Sequence, residues 1–189
     1  MGSILGGLMR RFKCGKPIVL VSGLPRSGTS MAMKMLSAGG METIVDNIRT
    51  ADEDNPKGYF EDERVKELAE MDDTSWIRAA RGKVIKVVSS LLQYLPKDNS
   101  YKVIFMRRNL HEVLASQAKM LERRGEENTA TDNDMLRMYQ AHLDKVAFQL
   151  RFRDWFDVLY LEFSEVVADP ERAAGQINEF LGGQMDVEK

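Results

Sequence analysis

The stretch that decides the fold is Val19-Leu20-Val21-Ser22-Gly23-Leu24-Pro25-Arg26-Ser27-Gly28-Thr29-Ser30. Its first residues continue an apolar run that is typical of a buried parallel strand, and a helical pattern follows its last two. Glycines at positions 23 and 28 permit backbone conformations that side chains forbid, so several N–H groups can converge on one anion at a helix N-terminus. The stretch therefore predicts a strand, an anion-binding loop and a helix.

The loop differs from the usual nucleoside triphosphate loop, Gly-x-x-x-x-Gly-Lys-Ser/Thr. Thr29 stands where that loop has its lysine, and the cation, Arg26, lies three residues earlier. A guanidinium in this place can form paired hydrogen bonds with one anionic group. The loop therefore favours a ligand with a short 5′ anion chain and no γ-phosphate.

Composition sets the broad class of the protein. The 189 residues suffice for one α/β domain with a real core, and we predict a single domain over 1–189 in which residues 1–16 form an N-terminal extension. A net charge of −2 argues against general nucleic-acid binding. The single cysteine, Cys14, excludes an internal disulfide and a cysteine-based metal site, and is typical of a reducing compartment.

The N-terminal residues do not follow the order of a secretory signal. A short apolar piece precedes Arg10 and Arg11, whereas a signal peptide places its charge before its apolar core. No segment approaches the length of a membrane span. We therefore expect a cytoplasmic protein without a membrane span.

Beyond the loop, strand patterns alternate with helical patterns. We predict further strands at 84–88, 102–106 and 157–163, and helices after the loop to residue 38, over 61–71, from 110 to about 121, from about 135 to 152, and from 170 to 181. In the first helix, Met31, Ala32, Met35 and Leu36 should face the sheet. Asn109 with Glu112 should cap the third helix as a capping box. This order predicts a three-layer α/β/α domain with a mainly parallel sheet.

A second basic site follows the strand at 102–106. Arg107 and Arg108 come at its carboxyl end, and ligands of parallel sheets bind at that edge. Ser116, eight residues after Arg108, lies roughly 120° from the apolar stripe of its helix and is therefore available for another role. A nucleotide with anions at two separate places could use Arg26 and Arg108 together.

At three places the chain resembles the sulfotransferases that use 3′-phosphoadenosine 5′-phosphosulfate, most closely their compact bacterial members. Residues 24–30 resemble the 5′-phosphosulfate loop of that family, with arginine where cytosolic members often have lysine. Residues 105–109 followed by Ser116 resemble its 3′-phosphate motif, and residues 84–88 resemble the segment that carries a catalytic lysine. The resemblance implies a P-loop NTPase-like fold, and residues 41–82 and 124–134 are expected to be acceptor-side or mobile segments.

The resemblance also implies the reaction and its residues. A hydroxyl or amine of an acceptor attacks the sulfuryl group of 3′-phosphoadenosine 5′-phosphosulfate in line, and adenosine 3′,5′-bisphosphate leaves without the help of a metal. The 5′ group would be held by the loop residues Pro25, Arg26, Ser27, Gly28, Thr29 and Ser30. Arg108 and Ser116 would hold the 3′-phosphate. Lys86 would act catalytically beside Arg26 by stabilising charge on the bridging oxygen.

Two departures from the family pattern concern the base and the donor clamp. Val88 stands where cytosolic members have a catalytic histidine, so Glu61, from the loop after the first helix, is our candidate base, with Glu63 and His111 as competitors. The basic, glycine-containing C-terminal clamp on the nucleotide has no counterpart in this sequence. The acceptor, small molecule or protein, and the oligomeric state are not predicted.

Two other functions stay open at this point. A kinase or other nucleoside triphosphate enzyme would account for the glycine loop, and Glu162 at the end of a strand could help to hold Mg²⁺. Thr29 argues against that class, because the loop lysine is missing. A catalytically inactive nucleotide-binding relative would account for Val88 and the missing clamp.

Overall fold

The computed structural model describes residues 14–46, 60–126 and 131–187, and its centre is a four-stranded sheet. The strands are β1 (Ile18–Gly23), β2 (Val84–Lys86), β3 (Tyr101–Arg107) and β4 (Phe156–Glu162). They lie in the order β2-β1-β3-β4, and every neighbouring pair is parallel. The α-helices that lie within the described ranges are α1 (Thr29–Ala38), α2 (Leu110–Arg124), α3 (Asp132–Phe152), α4 (Phe163–Ala168) and α5 (Pro170–Leu181), and a 3-10 helix, Ser75–Ala80, precedes β2. The predicted parallel α/β fold is confirmed.

The central strand β1 is buried over its whole length and separates two hydrophobic clusters. Ile18 and Leu20 pack into the cluster beneath α3, whereas Val19 and Val21 pack into the cluster beneath α1 and α5. Successive side chains of a strand point to opposite faces, so a strand covered on both faces must be continuously apolar. This explains why the predicted strand is an unbroken apolar run.

The first helix follows the loop as predicted but turns a slightly different face to the sheet. Ala32, Met33 and Leu36 are buried, with Met33 fully inaccessible. Met31 and Met35, expected to face the sheet, are only partly buried at the edge of the cluster. The buried face of α1 is therefore formed by Thr29, Ala32, Met33 and Leu36, with Met31 and Met35 at its edge.

Helix α2 begins at its predicted residue, but half of its predicted capping box is wrong. The Asn109 side chain accepts a hydrogen bond from the backbone N–H of His111, as a cap should. The Glu112 carboxylate does not return to the Asn109 N–H; it accepts a hydrogen bond from Arg108 Nε at 2.9 Å. A guanidinium is the stronger partner, because the hydrogen bond is then charge-assisted.

The last helix confirms its predicted signals. The Asp169 side chain accepts a hydrogen bond from the Arg172 N–H, and Pro170 occupies the first turn. Gly182 ends α5 in the left-handed conformation with φ of 81°. Cap, proline and glycine together fix both ends of α5.

Two predicted elements differ from the structure. The helix predicted over 61–71 is wrong, since the chain forms only a short 3-10 helix, Glu63–Val65, followed by turns. The strand predicted over 84–88 ends at Lys86, and a 3-10 helix, Ser89–Tyr94, begins three residues later. Val87 still donates a backbone hydrogen bond to Val21, but Val88 already leads into the turn.

The two predicted irregular segments are described only in part. Residues 47–59 and 127–130, like residues 1–13, lie outside the described ranges. Of the segment 124–134, Arg124 is the last residue of α2, and Thr131 caps α3 by accepting a hydrogen bond from the Asp134 N–H. The assignment of these segments to the acceptor side, and of the whole chain to one domain, stays a prediction.

None of the helices within residues 14–46, 60–126 and 131–187 is long and apolar enough to cross a membrane.

Candidate active site

The loop after β1 requires glycine at both predicted positions. Gly23 has φ of 149°, and a Cβ there would lie 2.5 Å from Ser27 Oγ and 2.6 Å from the Met106 carbonyl oxygen. Gly28 has φ of 97°, and a Cβ there would lie 2.6 Å from the Phe163 ring. Ser27 is itself buried and donates its hydroxyl proton to the Leu24 carbonyl at 2.7 Å. Glycine therefore allows the tight turn at 23 and the close approach of Phe163 at 28.

Arg26 links the loop to helix α2. Its φ of 68° lies in the left-handed region, which is uncommon for a residue with a side chain. Arg26 Nε donates to Ser116 Oγ at 3.0 Å, and the Arg26 carbonyl accepts a hydrogen bond from Arg108 Nη1 at 3.1 Å. The structure thus brings the predicted 5′ and 3′ phosphate residues into direct contact.

The two arginines at the end of β3 lie against different aromatic rings. Arg108 stacks over the Phe163 ring at 4.2 Å, while Arg107 stacks over the Tyr160 ring at 4.0 Å. Arg107 lines a second cavity, of about 540 Å³, between α3 and the ends of β3 and β4. Arg108 borders that cavity and also the one that holds Arg26. The two neighbouring arginines therefore have different surroundings.

Lys86 and Glu61 form an ion pair at the end of β2. Lys86 Nζ lies 2.9 Å from Glu61 Oε1 and 3.4 Å from Ser30 Oγ, and the lysine side chain is only 8% exposed. A second ammonium, that of Lys66, lies 3.8 Å from Glu61 Oε2. A lysine so little exposed needs a partner, because desolvation penalises an unpaired charge.

One cavity of about 460 Å³ collects most of the predicted site. Of the predicted residues, Pro25, Arg26, Gly28, Thr29, Ser30, Glu61, Lys86, Arg108 and Ser116 line it. Ser27 does not; it lines the second cavity. Among the described residues that line the cavity, five are cationic and one is a carboxylate. The surroundings favour an anionic ligand.

The competitors for the role of base lie elsewhere. Glu63 does not line the cavity and pairs with Lys66 at 2.6 Å. His111 is exposed in the first turn of α2 and does not line it either. Val88, at the position of the family histidine, does line the cavity. Of the three candidates, only Glu61 lies beside Lys86.

Sequence reasoning missed several residues of the cavity wall. They are Met31, Lys66, Met120, Arg124 and Phe163. Two signals could have indicated three of them: Phe163 directly follows the carboxyl end of β4, and Met120 and Arg124 follow Ser116 at helical intervals of four. The position of Lys66 depends on the irregular chain after Glu61, which no sequence rule predicts.

Within the described ranges, no three His, Cys, Asp or Glu side chains are grouped so that they could hold a metal ion. The expectation that the reaction needs no metal stays a prediction.

The parallel sheet, with a glycine loop leading from its central strand into a helix, defines a P-loop-type α/β protein. The model of the sulfotransferase domain family matches residues 16–189, and the chain belongs to this family.

Two solved structures are among those similar to this chain. A sulfotransferase from Alicyclobacillus acidocaldarius is 16% identical, with 93% of this chain and 83% of that chain covered and a TM-score of 0.49. The sulfotransferase domain from the curacin biosynthetic pathway is 13% identical, with 88% and 74% covered and a TM-score of 0.50. No curated protein sequence matches the chain.

Proposed function

We propose that this protein transfers the sulfuryl group of 3′-phosphoadenosine 5′-phosphosulfate to a hydroxyl or amine of an acceptor, releasing adenosine 3′,5′-bisphosphate. The observation that carries the proposal is the single cavity of about 460 Å³ that joins the glycine loop, the Arg108–Ser116 pair and the Lys86–Glu61 pair. Membership of the sulfotransferase family supports the type of reaction.

The residues of the cavity fit a nucleotide with two separate anionic groups. The loop N–H groups at the start of α1, with Arg26, Thr29 and Ser30, would hold the 5′ group. Arg108 and Ser116 would hold the 3′-phosphate, and Phe163, stacked under Arg108, would offer an aromatic face to the base. A 3′-phosphate site would also discriminate against ATP, which lacks that group.

The Lys86–Glu61 pair would carry the chemistry. As the acceptor oxygen or nitrogen forms its bond to sulfur, its proton passes to the Glu61 carboxylate. At the same time the bond between sulfur and the bridging oxygen breaks, and the Lys86 ammonium stabilises the charge that develops on that oxygen. The ion pair of 2.9 Å keeps both groups at the cavity before substrates bind.

Calorimetry tests the proposal without knowledge of the acceptor. Adenosine 3′,5′-bisphosphate should bind to the protein, and Mg-ATP should bind much more weakly. Consumption of 35S-labelled donor, first with water and then with phenols, alcohols, sugars and amines as acceptors, tests the transfer itself. Preference for Mg-ATP would overturn the proposal, and bisphosphate binding without any donor consumption would favour an inactive relative.

The nucleoside triphosphate alternative gains little from the structure. Glu162, its candidate magnesium ligand, lines the second cavity and lies 4.0 Å from Arg107 Nη1. The carboxylate is not among the described residues that line the cavity of about 460 Å³, where Arg26, Thr29 and Ser30 lie. A cytoplasmic location, expected from the sequence, stays part of this proposal.

A further inference from the structure

Glu61 is held in place although it belongs to no helix or strand. The 3-10 helix begins two residues later, and Phe60, directly before Glu61, has φ of 50°, in the region that bulky residues rarely adopt. Yet the Glu61 carboxylate lies 2.9 Å from Lys86, which ends a fully buried strand. Some contact must therefore hold this irregular chain close to the end of β2.

The chain from Glu42 to Ile44 is bonded to the edge of β2. The Val84 N–H donates to the Glu42 carbonyl and the Ile44 N–H donates to the Val84 carbonyl, each at 2.8 Å. The Glu42 carboxylate also pairs with Lys83. These bonds fix the chain beside Val84, two residues before Lys86.

Two residues beyond Ile44, Asp46 is hydrogen-bonded to Glu61 through its backbone and to Glu63 through its side chain. The Asp46 N–H donates to the Glu61 carbonyl at 3.1 Å. Asp46 Oδ2 accepts a hydrogen bond from the Glu63 N–H at 2.6 Å. The segment 42–46 therefore joins the strand of Lys86 at one end and the chain of Glu61 at the other.

We propose that Asp46 is a positioning residue that holds the chain of Glu61 against β2, so that the Glu61 carboxylate meets the Lys86 ammonium. The inference rests on the proposed function, because it assigns Asp46 a part in bringing together the base and the lysine. Asp46 acts through Glu61. It is not among the residues that line the cavity of about 460 Å³ proposed to bind the donor, which we call the donor cavity. Its side chain lines a neighbouring hollow with Asp62 and Arg64.

A purely structural role for Asp46 makes different predictions. Asp62 already caps the 3-10 helix, by accepting a hydrogen bond from the Arg64 N–H, and is buried and paired with the Arg64 guanidinium. If Asp46 only supported this cap, its loss would lower the stability of the fold and leave the Lys86–Glu61 pair intact. If Asp46 positions Glu61, the pair itself must change.

Three variants separate these roles. Asp46→Ala removes the acceptor of the Glu63 N–H, whereas Asp46→Asn keeps an oxygen that can accept the same bond. Asp98→Ala is the matched control, since Asp98 is a hydrogen-bonded carboxylate on Arg78 that does not line the donor cavity. Each variant is assayed for the kcat and KM of donor consumption with water as acceptor, and for bisphosphate affinity by calorimetry.

Chemical labelling gives a readout that does not need activity. Acetic anhydride modifies free amines, and a carboxylate neighbour favours the protonated, unreactive form of Lys86. Lys102, which donates to the Phe180 carbonyl at 2.7 Å, reports on the rest of the fold. Mass spectrometry measures the acetylation of both lysines in each variant.

The expected result is specific to Asp46→Ala. Its kcat should fall on the order of tenfold or more, because misplaced catalytic groups lose rate steeply, while donor KM and bisphosphate affinity stay near those of the parent protein. Acetylation of Lys86 should rise at least about threefold with the loss of its carboxylate neighbour, and that of Lys102 should not change. Asp46→Asn should restore most of the kcat and the protection of Lys86.

Other outcomes overturn the inference. Unchanged Lys86 acetylation and kcat in Asp46→Ala would show that Asp46 does not position Glu61. An equal rise in the acetylation of Lys86 and Lys102 would show a general effect on the fold. So would a loss of kcat in Asp98→Ala equal to that in Asp46→Ala. A parent protein that binds no bisphosphate and consumes no donor would instead refute the proposed function, and the inference with it.

Discussion

At the scale of single residues, substitution of Arg108 tests the proposed donor site most directly. It lies between the Arg26 carbonyl and the Phe163 ring, and it is the arginine that borders the donor cavity at the end of β3. Arg108→Ala should weaken binding of adenosine 3′,5′-bisphosphate by about 10- to 100-fold, the range expected for hydrogen bonds to a charged group. Binding of adenosine 5′-monophosphate, which lacks the 3′-phosphate, should change far less.

Arg107→Ala is the matched control for this experiment. The residue is adjacent and equally charged, but it stacks on Tyr160 and lines the second cavity. Calorimetry should find its bisphosphate affinity close to that of the parent protein. Equal losses in both variants would mean that only general positive charge holds the nucleotide.

Lys86 should affect turnover and not donor binding. Its ammonium pairs with Glu61 and lies near Ser30, beside the place proposed for the transferred group. Lys86→Met should lower kcat by about 10²- to 10³-fold, as the loss of one charge-stabilising donor does in other enzymes, with little change in donor KM. The exposed Lys34 on α1 provides the control variant Lys34→Met. A large rise in donor KM with unchanged kcat would place Lys86 in donor binding instead.

At the scale of elements, the turn from β1 to α1 depends on Gly23. A methyl group at this position would meet Ser27 Oγ and the Met106 carbonyl, and φ of 149° disfavours any side chain. Gly23→Ala should lower the free energy of unfolding by about 2 kcal/mol or more, because backbone strain and a steric clash add. Urea unfolding followed by circular dichroism measures the change.

Gly175 supplies the opposite case for comparison. It lies within α5, and a Cβ there would contact nothing within 4 Å. Gly175→Ala should therefore raise the free energy of unfolding by about 0.5–1 kcal/mol, since alanine loses less backbone entropy in a helix. A stabilised Gly23→Ala variant would contradict the proposed constraint at the loop.

Elements with signals inside their own sequence were predictable. The strand, loop and helix from 18 to 38 follow from an apolar run and two glycines, and α5 follows from Asp169, Pro170 and Gly182. The structure of the chain after Glu61 was not predictable, although its charge pattern is typical of a helix. The Asp46 and Asp62 carboxylates accept hydrogen bonds from the N–H groups of Glu63 and Arg64, and the chain forms a 3-10 turn instead. In the same way, the predicted β2 was too long because pairing with β1 ends where the turn to Ser89 begins.

At the scale of the whole molecule, the site depends on contacts between distant parts of the chain. Individual residues such as Arg26, Lys86 and Arg108 could be proposed from the order of strands and from family motifs. Their meeting in one cavity, with Phe163 and Lys66 in its wall, depends on the sheet order and on the irregular chain beyond Phe60. The spacing of residues in the sequence contains no information on the sheet order or on the course of that irregular chain.

The stability of the whole fold should depend on pH through His142. Its Nε2 lies 2.8 Å from the buried Ser89 Oγ, and burial, with a smaller contribution from Lys145, lowers the pKa of this imidazole. Between that lowered pKa and the ordinary value near 6.5, the unfolded chain binds more protons than the folded one, so stability increases with pH. The contribution is complete above about pH 6.5 and is lost as the pH falls through the lower value.

Urea unfolding at several pH values from 5 to 8 measures this dependence. His142→Gln, which keeps a polar partner for Ser89 without a titrating group, should show a flatter curve over this range. Identical slopes in the two proteins would show that His142 does not carry the effect.

The different surroundings of the two arginines after β3 have a consequence for the divergence of such proteins. Insertion of one residue within β3 would move Arg107 one position along the chain, to the place beside Phe163 that Arg108 now occupies. Deletion of one residue would instead bring Asn109 to that place. A pair of arginines at this strand end therefore keeps a guanidinium beside Phe163 after a one-residue insertion, whereas a lone arginine at position 108 would be displaced from it.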